Sequence, residues 1–226
     1  MLKVYIACPA YDGKVHAAFA QSLLLAGSDL AKCGIELNCS IVRNGIFIDV
    51  ARSVMVQNFL ETDCTHLMFI DSDLQFDPNA VASLVGSGLP LCGGVYRQRE
   101  EKLHYIVKLH NDNMVYRDGW IQVDRMGTGF MCIERSVLEV MSEKADIFET
   151  NRTECPLVFK IKHDDPYDPG GPNKMIGEDF SFCDDYMELY REGVFKEPIW
   201  IWPDIDFVHD RYPCNFHQFL LEIGKE

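Results

Sequence analysis

The stretch Thr65-His66-Leu67-Met68-Phe69-Ile70-Asp71-Ser72-Asp73-Leu74-Gln75-Phe76-Asp77-Pro78 decides how the rest of this chain reads. Residues 67–70 form an apolar run with the length and character of a buried strand. Asp71 and Asp73 follow at once, one residue apart, where the run ends. Asp77-Pro78 has the form of an N-cap followed by proline at the first helical position, and Val81, Leu84 and Val85 then supply the inner face of a short helix. The chain is expected to leave a sheet, present Asp-Ser-Asp at a strand's carboxyl end, and turn back into a helix. In open α/β sheets ligands bind along that edge. Two carboxylates there make a hard-oxygen site suited to Mg²⁺ or Mn²⁺, and such an ion commonly also holds substrate phosphates. A solvated turn uses the same spacing for local hydrogen bonds. Carboxylates that close a buried strand, however, are costly unless a cation neutralises them.

Upstream, residues 3–8 read as a first strand, 9–13 as a turn, and 15–33 as a helix with apolar positions at the 3.6 period, ended by Gly34. Residues 35–42 read as a second strand. A loop through Asn44-Gly45 leads to a helix over about 49–60, which precedes the Asp-Ser-Asp strand. This βαβαβ opening outlines a nucleotide-binding half-sheet. It carries neither G-x-G-x-x-G nor a P-loop, so phosphates are not expected on a glycine-rich helix start, and holding by metal is favoured.

Downstream, 89–96 reads as a strand in which Gly93-Gly94 permits close backbone approach. Another strand follows over 104–109. Residues 114–117 and 120–123 flank Asp118-Gly119, a type I′ hairpin signal. A strand over 130–133 is entered through Gly127-Thr128-Gly129, and 136–142 reads as a helix. Residues 162–174, rich in proline and glycine and without an apolar period, read as a loop that orders over a ligand. Gly177-Glu178-Asp179 opens a helix, with Phe180, Cys183, Met187 and Tyr190 on one face and Gly193 at its end. Short apolar runs over 198–203 and 205–209 finish on His209.

At 226 residues, with 47% hydrophobic and 25% charged side chains, the chain is expected to form one α/β domain. No apolar run is long enough for a membrane span. Nine cysteines, an odd number without a C-x-x-C pair, argue against a zinc knuckle or a disulfide framework and for a reducing, intracellular setting. The net charge of −14 argues against extended binding to a nucleic-acid backbone.

Asp71-Ser72-Asp73 after a buried strand, Gly177-Glu178-Asp179 at a helix start and His209 after a late apolar run occur in an order that resembles an inverting glycosyltransferase of the GT-A fold. Pro9-Ala10-Tyr11-Asp12 is similar to that fold's first nucleotide-binding loop. The resemblance extends from residue 3 to about 212 and is closest to small stand-alone viral, phage and bacterial enzymes. It implies a single GT-A domain over 1–226, with a mixed, mostly parallel central sheet flanked by helices. Residues 1–96 would form the nucleotide-binding half and 97–226 the acceptor side.

The resemblance also implies transfer of a hexosyl group from a nucleotide-diphosphate sugar, UDP-sugar favoured, to an acceptor hydroxyl. The setting would be the cytoplasm, that of the host if the chain is viral or phage. Mn²⁺ or Mg²⁺ would be held by Asp73 and His209, with Asp71 reaching the metal or the ribose through water. Pro9, Tyr11, Asp12, Arg52, Asp71, Ser72 and Asp73 would bind the donor; Arg52 would pair with Asp71 or with a phosphate. Asp179 would be the general base, its charge favoured by the helix dipole at neutral pH; Glu178 would share that task or only stabilise the helix start.

A glycan, a lipid-linked sugar, a small molecule or a hydroxylated nucleobase are all acceptable acceptors. Residue by residue, plainer readings stay open: His209 as a core histidine, Arg52 as an exposed helix arginine, Tyr11 and Asp12 as turn residues. Trp120, Trp200 and Trp202 are core or sugar-stacking residues, Arg97 and Arg99 face donor or acceptor, and Thr128 and Gly129 line the acceptor side. The rival functions are a sugar-nucleotide pyrophosphorylase-like enzyme and a non-catalytic nucleotide- or carbohydrate-binding module.

Overall fold

A computed structural model describes residues 1–43, 47–101, 103–110, 114–149, 154–163 and 175–223. The Asn44-Gly45 loop, and the loop expected over 162–174 from residue 164 onward, lie outside the described residues. In chain order the elements are β1 (Lys3–Ala10), α1 (Ala17–Lys32), β2 (Glu36–Arg43), α2 (Ile48–Leu60), β3 (His66–Ile70), β4 (Leu74–Phe76), α3 (Pro78–Val85), β5 (Leu91–Gly93), β6 (Val107–Leu109) and β7 (Val115–Arg117). They continue with β8 (Trp120–Met126), β9 (Phe130–Glu134), α4 (Arg135–Lys144), β10 (Ile147–Glu149), β11 (Glu154–Pro156), α5 (Glu178–Arg191), β12 (Ile199–Ile201), β13 (Phe207–His209), β14 (Tyr212–Cys214) and α6 (Phe216–Ile223). No helix among the described residues is long and apolar enough to cross a membrane.

The central sheet runs β2-β1-β3-β9-β5-β12-β8-β6, with β7 paired to β8. β1 is parallel to β2 and β3, and β5 to β12, while β9 and β8 run against their neighbours. It is a mixed sheet with most strands pointing one way. β3 lies near its middle, between β1 and β9, and every one of its residues is buried. Successive side chains on a strand point to opposite faces, so β3 needs cover on both.

On one face Phe130, paired with Ile70, meets Phe76 at 5.2 Å and Phe207 at 5.0 Å, and Phe76 meets Phe19 of α1 at 6.4 Å. On the other, Phe69 meets Phe159 at 5.4 Å, and Phe159 stacks on Phe182 of α5 at 4.5 Å. α1 packs with α3, α2 with α4, and α5 against β8.

The local signals around β3 act as their chemistry requires. Asp77 caps α3 by accepting the Asn79 N–H at 3.0 Å, and Pro78 takes the first helical position. Asp118 and Gly119 both have positive φ, 51° and 86°, as the type I′ hairpin between β7 and β8 demands. A Cβ on Gly93 would lie 2.4 Å from the Phe130 carbonyl, so the close approach there is real.

Other expectations need correction. The strand expected over 89–96 is only Leu91–Gly93; beyond it the Gly94 N–H still donates to the Phe130 carbonyl at 3.0 Å, and the chain runs on, still buried, to Tyr96. On α5 the buried face is Ser181, Phe182, Cys183, Tyr186, Met187 and Leu189 rather than the narrower set through Phe180 and Tyr190. That helix is covered from two sides, by β8 and by Phe159. Trp200 is buried, and Trp120 and Trp202 pack on each other at 6.3 Å, so the tryptophans belong to the core.

The small sheet β14-β13-β4 escapes a reading by period because its strands are three residues long. It is nevertheless what completes the edge of β3. β4 begins directly after Asp73, and its antiparallel pairing with β13 sets His209 opposite Leu74. The Asp210 N–H donates to the Asp73 carbonyl at 3.0 Å.

Candidate functional site

Two charge groups meet at the carboxyl end of β3. The first centres on Asp73. Its Oδ1 faces His209 Nε2 at 3.5 Å and its Oδ2 accepts from Arg99 Nη1 at 2.6 Å. The other ring nitrogen of His209, Nδ1, lies 2.7 Å from the Arg97 carbonyl oxygen. A carbonyl only accepts, so Nδ1 carries a proton and Nε2 is turned toward Asp73. A neutral ring then aims a lone pair at a carboxylate, an arrangement that needs a cation or a proton between the two.

Burial lowers the pKa of His209, but the bond to Asp73 and the Arg97 carbonyl outweigh it and hold the ring above its ordinary value. Asp73 shows the mirror image: burial raises its pKa, and His209 and Arg99 together bring it below the usual carboxylate range.

The second group centres on Arg52, a buried side chain of α2 at 5% exposure. Its Nη2 donates to Asp71 Oδ1 at 3.3 Å, and its Nε donates to Glu178 Oε1, at the start of α5, at 3.1 Å. Its Nη1 is buried without a hydrogen-bond partner among the described residues. The guanidinium also lies over the Phe69 ring, 5.4 Å from its centroid. Burial lowers the pKa of Arg52, yet Asp71, Glu178, Tyr96 and Asp179 raise it further, so the charge stays.

Asp179 stands beside this pair, and its Oδ1 accepts the Phe180 N–H at 2.7 Å. Burial, then the Glu178 charge, push its pKa up to about 6, against the pull of that N–H and of Arg52. Burial thus outweighs the Phe180 N–H and Arg52, and at neutral pH the carboxylate is still mainly ionised. The carboxylate is mainly charged only above about pH 6.

Tyr96 completes the floor, a residue that sequence reading passed over. Its hydroxyl accepts the Gly129 N–H at 2.7 Å, and burial raises its pKa well above the ordinary value. The Asp71 N–H in turn donates to the Gly129 carbonyl at 3.0 Å. A Cβ on Gly129 would lie 2.3 Å from the Tyr96 hydroxyl and 2.5 Å from Asp71 Oδ2. Gly129→Ala is thus expected to destabilise the fold by about 1–3 kcal/mol through overpacking, measured by urea unfolding; an unchanged midpoint would show that the floor yields. Thr128, beside it, is buried with its hydroxyl unpartnered among the described residues.

A cleft of about 330 Å³ opens at Arg52, Asp71 and Asp73, lined also by Pro9, Tyr11 and Arg99, with Ser72 between the two aspartates. Tyr11 is 69% exposed. Asp12 turns aside: it accepts the Lys14 N–H and pairs with its ammonium at 3.2 Å. The fold thus brings Pro9, Tyr11, Arg52, Asp71, Ser72 and Asp73 to one cleft, sets His209 on Asp73, and joins Glu178 to it through Arg52, with Asp179 next along α5. Arg97 is directed elsewhere, onto the carbonyls of Glu100 and Glu101 and over the Tyr212 ring.

Of the expected metal set, Asp73 and His209 come together while Asp71 is engaged by Arg52. Among the described residues no group of three or more His, Cys, Asp or Glu side chains is placed to hold an ion. A carboxylate and an oriented imidazole fit a Mg²⁺- or Mn²⁺-type centre in which substrate phosphates and water provide the other ligands.

No protein-family model matches the chain, and no curated protein matches it in sequence. Among solved structures it is similar to A197 from STIV, with a TM-score of 0.52 and 20% identity over 92% of this chain and 85% of that one. That likeness is one of fold. A weaker one joins it to S. aureus TarS 1–349, with a TM-score of 0.46 and 11% identity over 94% of this chain and 59% of that one. Another joins it to a glycosyltransferase involved in the glycosylation of the major capsid of PBCV-1, at 0.36 and 13% over 61% and 62%. These last two are too distant to carry an argument about function. The sheet order, the helices that flank it and the cleft at the end of β3 are those of a mixed, mostly parallel α/β domain.

Proposed function

We propose that this chain is a metal-dependent, inverting glycosyltransferase that moves a sugar from a nucleotide-diphosphate sugar, UDP-sugar first among them, to an acceptor hydroxyl. The supporting observation is the facing pair of Asp73 and His209 at the end of β3, beside a cleft whose Arg52 pairs with Glu178, the neighbour of Asp179 at the start of α5. Asp73 and His209 would hold a Mn²⁺ or Mg²⁺ ion, which when bound neutralises charge on a diphosphate leaving group. The Arg97 carbonyl keeps the His209 ring in the ligating tautomer. Tyr11 offers its ring to the nucleobase.

Glu178 is engaged with Arg52, which leaves Asp179 as the carboxylate that takes the proton of the acceptor hydroxyl as that oxygen attacks. The acceptor is a glycan, a small molecule or a hydroxylated nucleobase; a charge of −14 does not suit an extended nucleic acid. We place the reaction in the cytoplasm, or the host's if the chain is viral or phage; nine free thiols fit a reducing compartment.

A panel of UDP-, GDP- and CDP-sugars with Mn²⁺ tests the reading. Slow donor hydrolysis supports it, pyrophosphate-dependent formation of a nucleoside triphosphate points to a pyrophosphorylase, and binding without turnover points to a binding module. Asp73→Asn is expected to weaken Mn²⁺-dependent UDP binding by at least about tenfold in calorimetry. Unchanged metal-dependent affinity in the folded variant overturns the ligand assignment.

A further inference from the structure

Arg99 stands on the loop after β5. Its guanidinium takes one oxygen of Asp73 while His209 faces the other. The backbone of that loop is braced. Arg97 Nη2 donates to the carbonyls of Glu100 and Glu101 at 2.6 and 3.1 Å, Gln98 N donates to the His104 carbonyl at 2.8 Å, and Arg97 bridges to Tyr105. The Arg99 side chain itself is 62% exposed, against 14% for that of Asp73. A long, exposed, cationic arm on a fixed base therefore rests on a mostly buried carboxylate at the mouth of the cleft that both line. The second cation of the cleft, Arg52, is committed to Asp71 and Glu178. An ion arriving at Asp73 has to compete with Arg99 for the same carboxylate, and the freed guanidinium is then within the same cleft as any phosphate held there.

We propose that Arg99 is a displaceable counter-ion that neutralises Asp73 in the empty site, yields that carboxylate to the divalent ion, and then pairs with the donor's diphosphate. The inference rests on the metal-and-diphosphate reading above. An exposed side chain exchanges partners at small cost, and the guanidinium fork matches phosphate oxygens as well as carboxylate. The two roles have opposite signs. Removing Arg99 strengthens the binding of metal alone and weakens the binding of nucleotide with metal. A surface arginine without a role would change neither, and a residue that only binds phosphate would change the second alone.

The test is a pair of titrations on wild type, Arg99→Met and Arg99→Lys: Mn²⁺ alone, followed by paramagnetic resonance of the free ion, and UDP at saturating Mn²⁺, followed by calorimetry. Arg99→Met is expected to bind Mn²⁺ alone about 2- to 5-fold more tightly and UDP about tenfold more weakly. Arg99→Lys should fall between wild type and Arg99→Met on both. Mn²⁺ affinity unchanged or weakened in Arg99→Met overturns the displacement, and unchanged UDP affinity overturns the transfer to phosphate; both results leave the metal site standing. Wild type that binds no Mn²⁺ with or without UDP overturns the metal reading, and this inference with it.

Discussion

Asp179→Asn is expected to lower turnover roughly 10²–10⁴-fold while leaving donor affinity nearly unchanged. The exchange keeps the shape of the side chain and its hydrogen bond from the Phe180 N–H but removes the basic oxygen. A second signature separates a base from a residue that merely caps the helix. Because burial raises this carboxyl to about 6, the wild-type rate should fall as pH drops through that value, where the base becomes protonated.

The same shift sets the stability. A carboxyl whose folded pKa lies above its ordinary 3.8 gains a proton on folding between the two values, so stability declines as pH rises from about 4 to 6 and stays lowered above. Asn carries no such cost. Asp179→Asn should therefore be more stable than wild type by about 1–3 kcal/mol at pH 7, with the gap closing near pH 4. Near-normal turnover in the variant would remove Asp179 from the role. A transferred sugar that keeps the donor's anomeric configuration by NMR would overturn the inverting mechanism.

Arg52→Met is expected to destabilise the folded state by roughly 3–5 kcal/mol, because it strands two carboxylates that now share one buried cation. Arg52 links three parts of the chain: α2, the end of β3 through Asp71, and the start of α5 through Glu178. Methionine fills much of the same volume and keeps contact with Phe69, so the loss measured in urea reports mainly on charge. Adding Glu178→Gln to Arg52→Met should recover part of it, since one of the stranded charges is then gone. A single-variant loss below about 1 kcal/mol, or a double variant less stable than the single, would show that the pair is not the tie between α2 and α5.

The elements around β3 were legible because each is specified by neighbours in sequence. The apolar run of β3, the Asp77-Pro78 start of α3 and the Asp118-Gly119 hairpin depend on backbone conformation and local hydrogen bonds, which act over a few residues. So did the placing of Asp71 and Asp73 at a strand's end and of Glu178 and Asp179 at a helix start. The strand over 89–96 is shorter than its apolar run because Val95 and Tyr96 are buried by tertiary packing beyond the strand's end, and an apolar run does not distinguish the two.

What only the tertiary structure decided is which charges meet. That Arg52 reaches Glu178 besides the Asp71 its place in sequence suggests, that Asp73 is shared by His209 and Arg99, and that the Arg97 carbonyl sets the His209 tautomer are contacts across 26 to 136 positions of chain; 136 is the separation of Asp73 and His209. They depend on the pairing of the three-residue strands β4 and β13 and on the packing of α5 over the Phe69 face. The pKa of Asp179 belongs to the same level. A helix start seen in sequence favours its charge, but burial, which only the fold sets, pushes its pKa up to about 6.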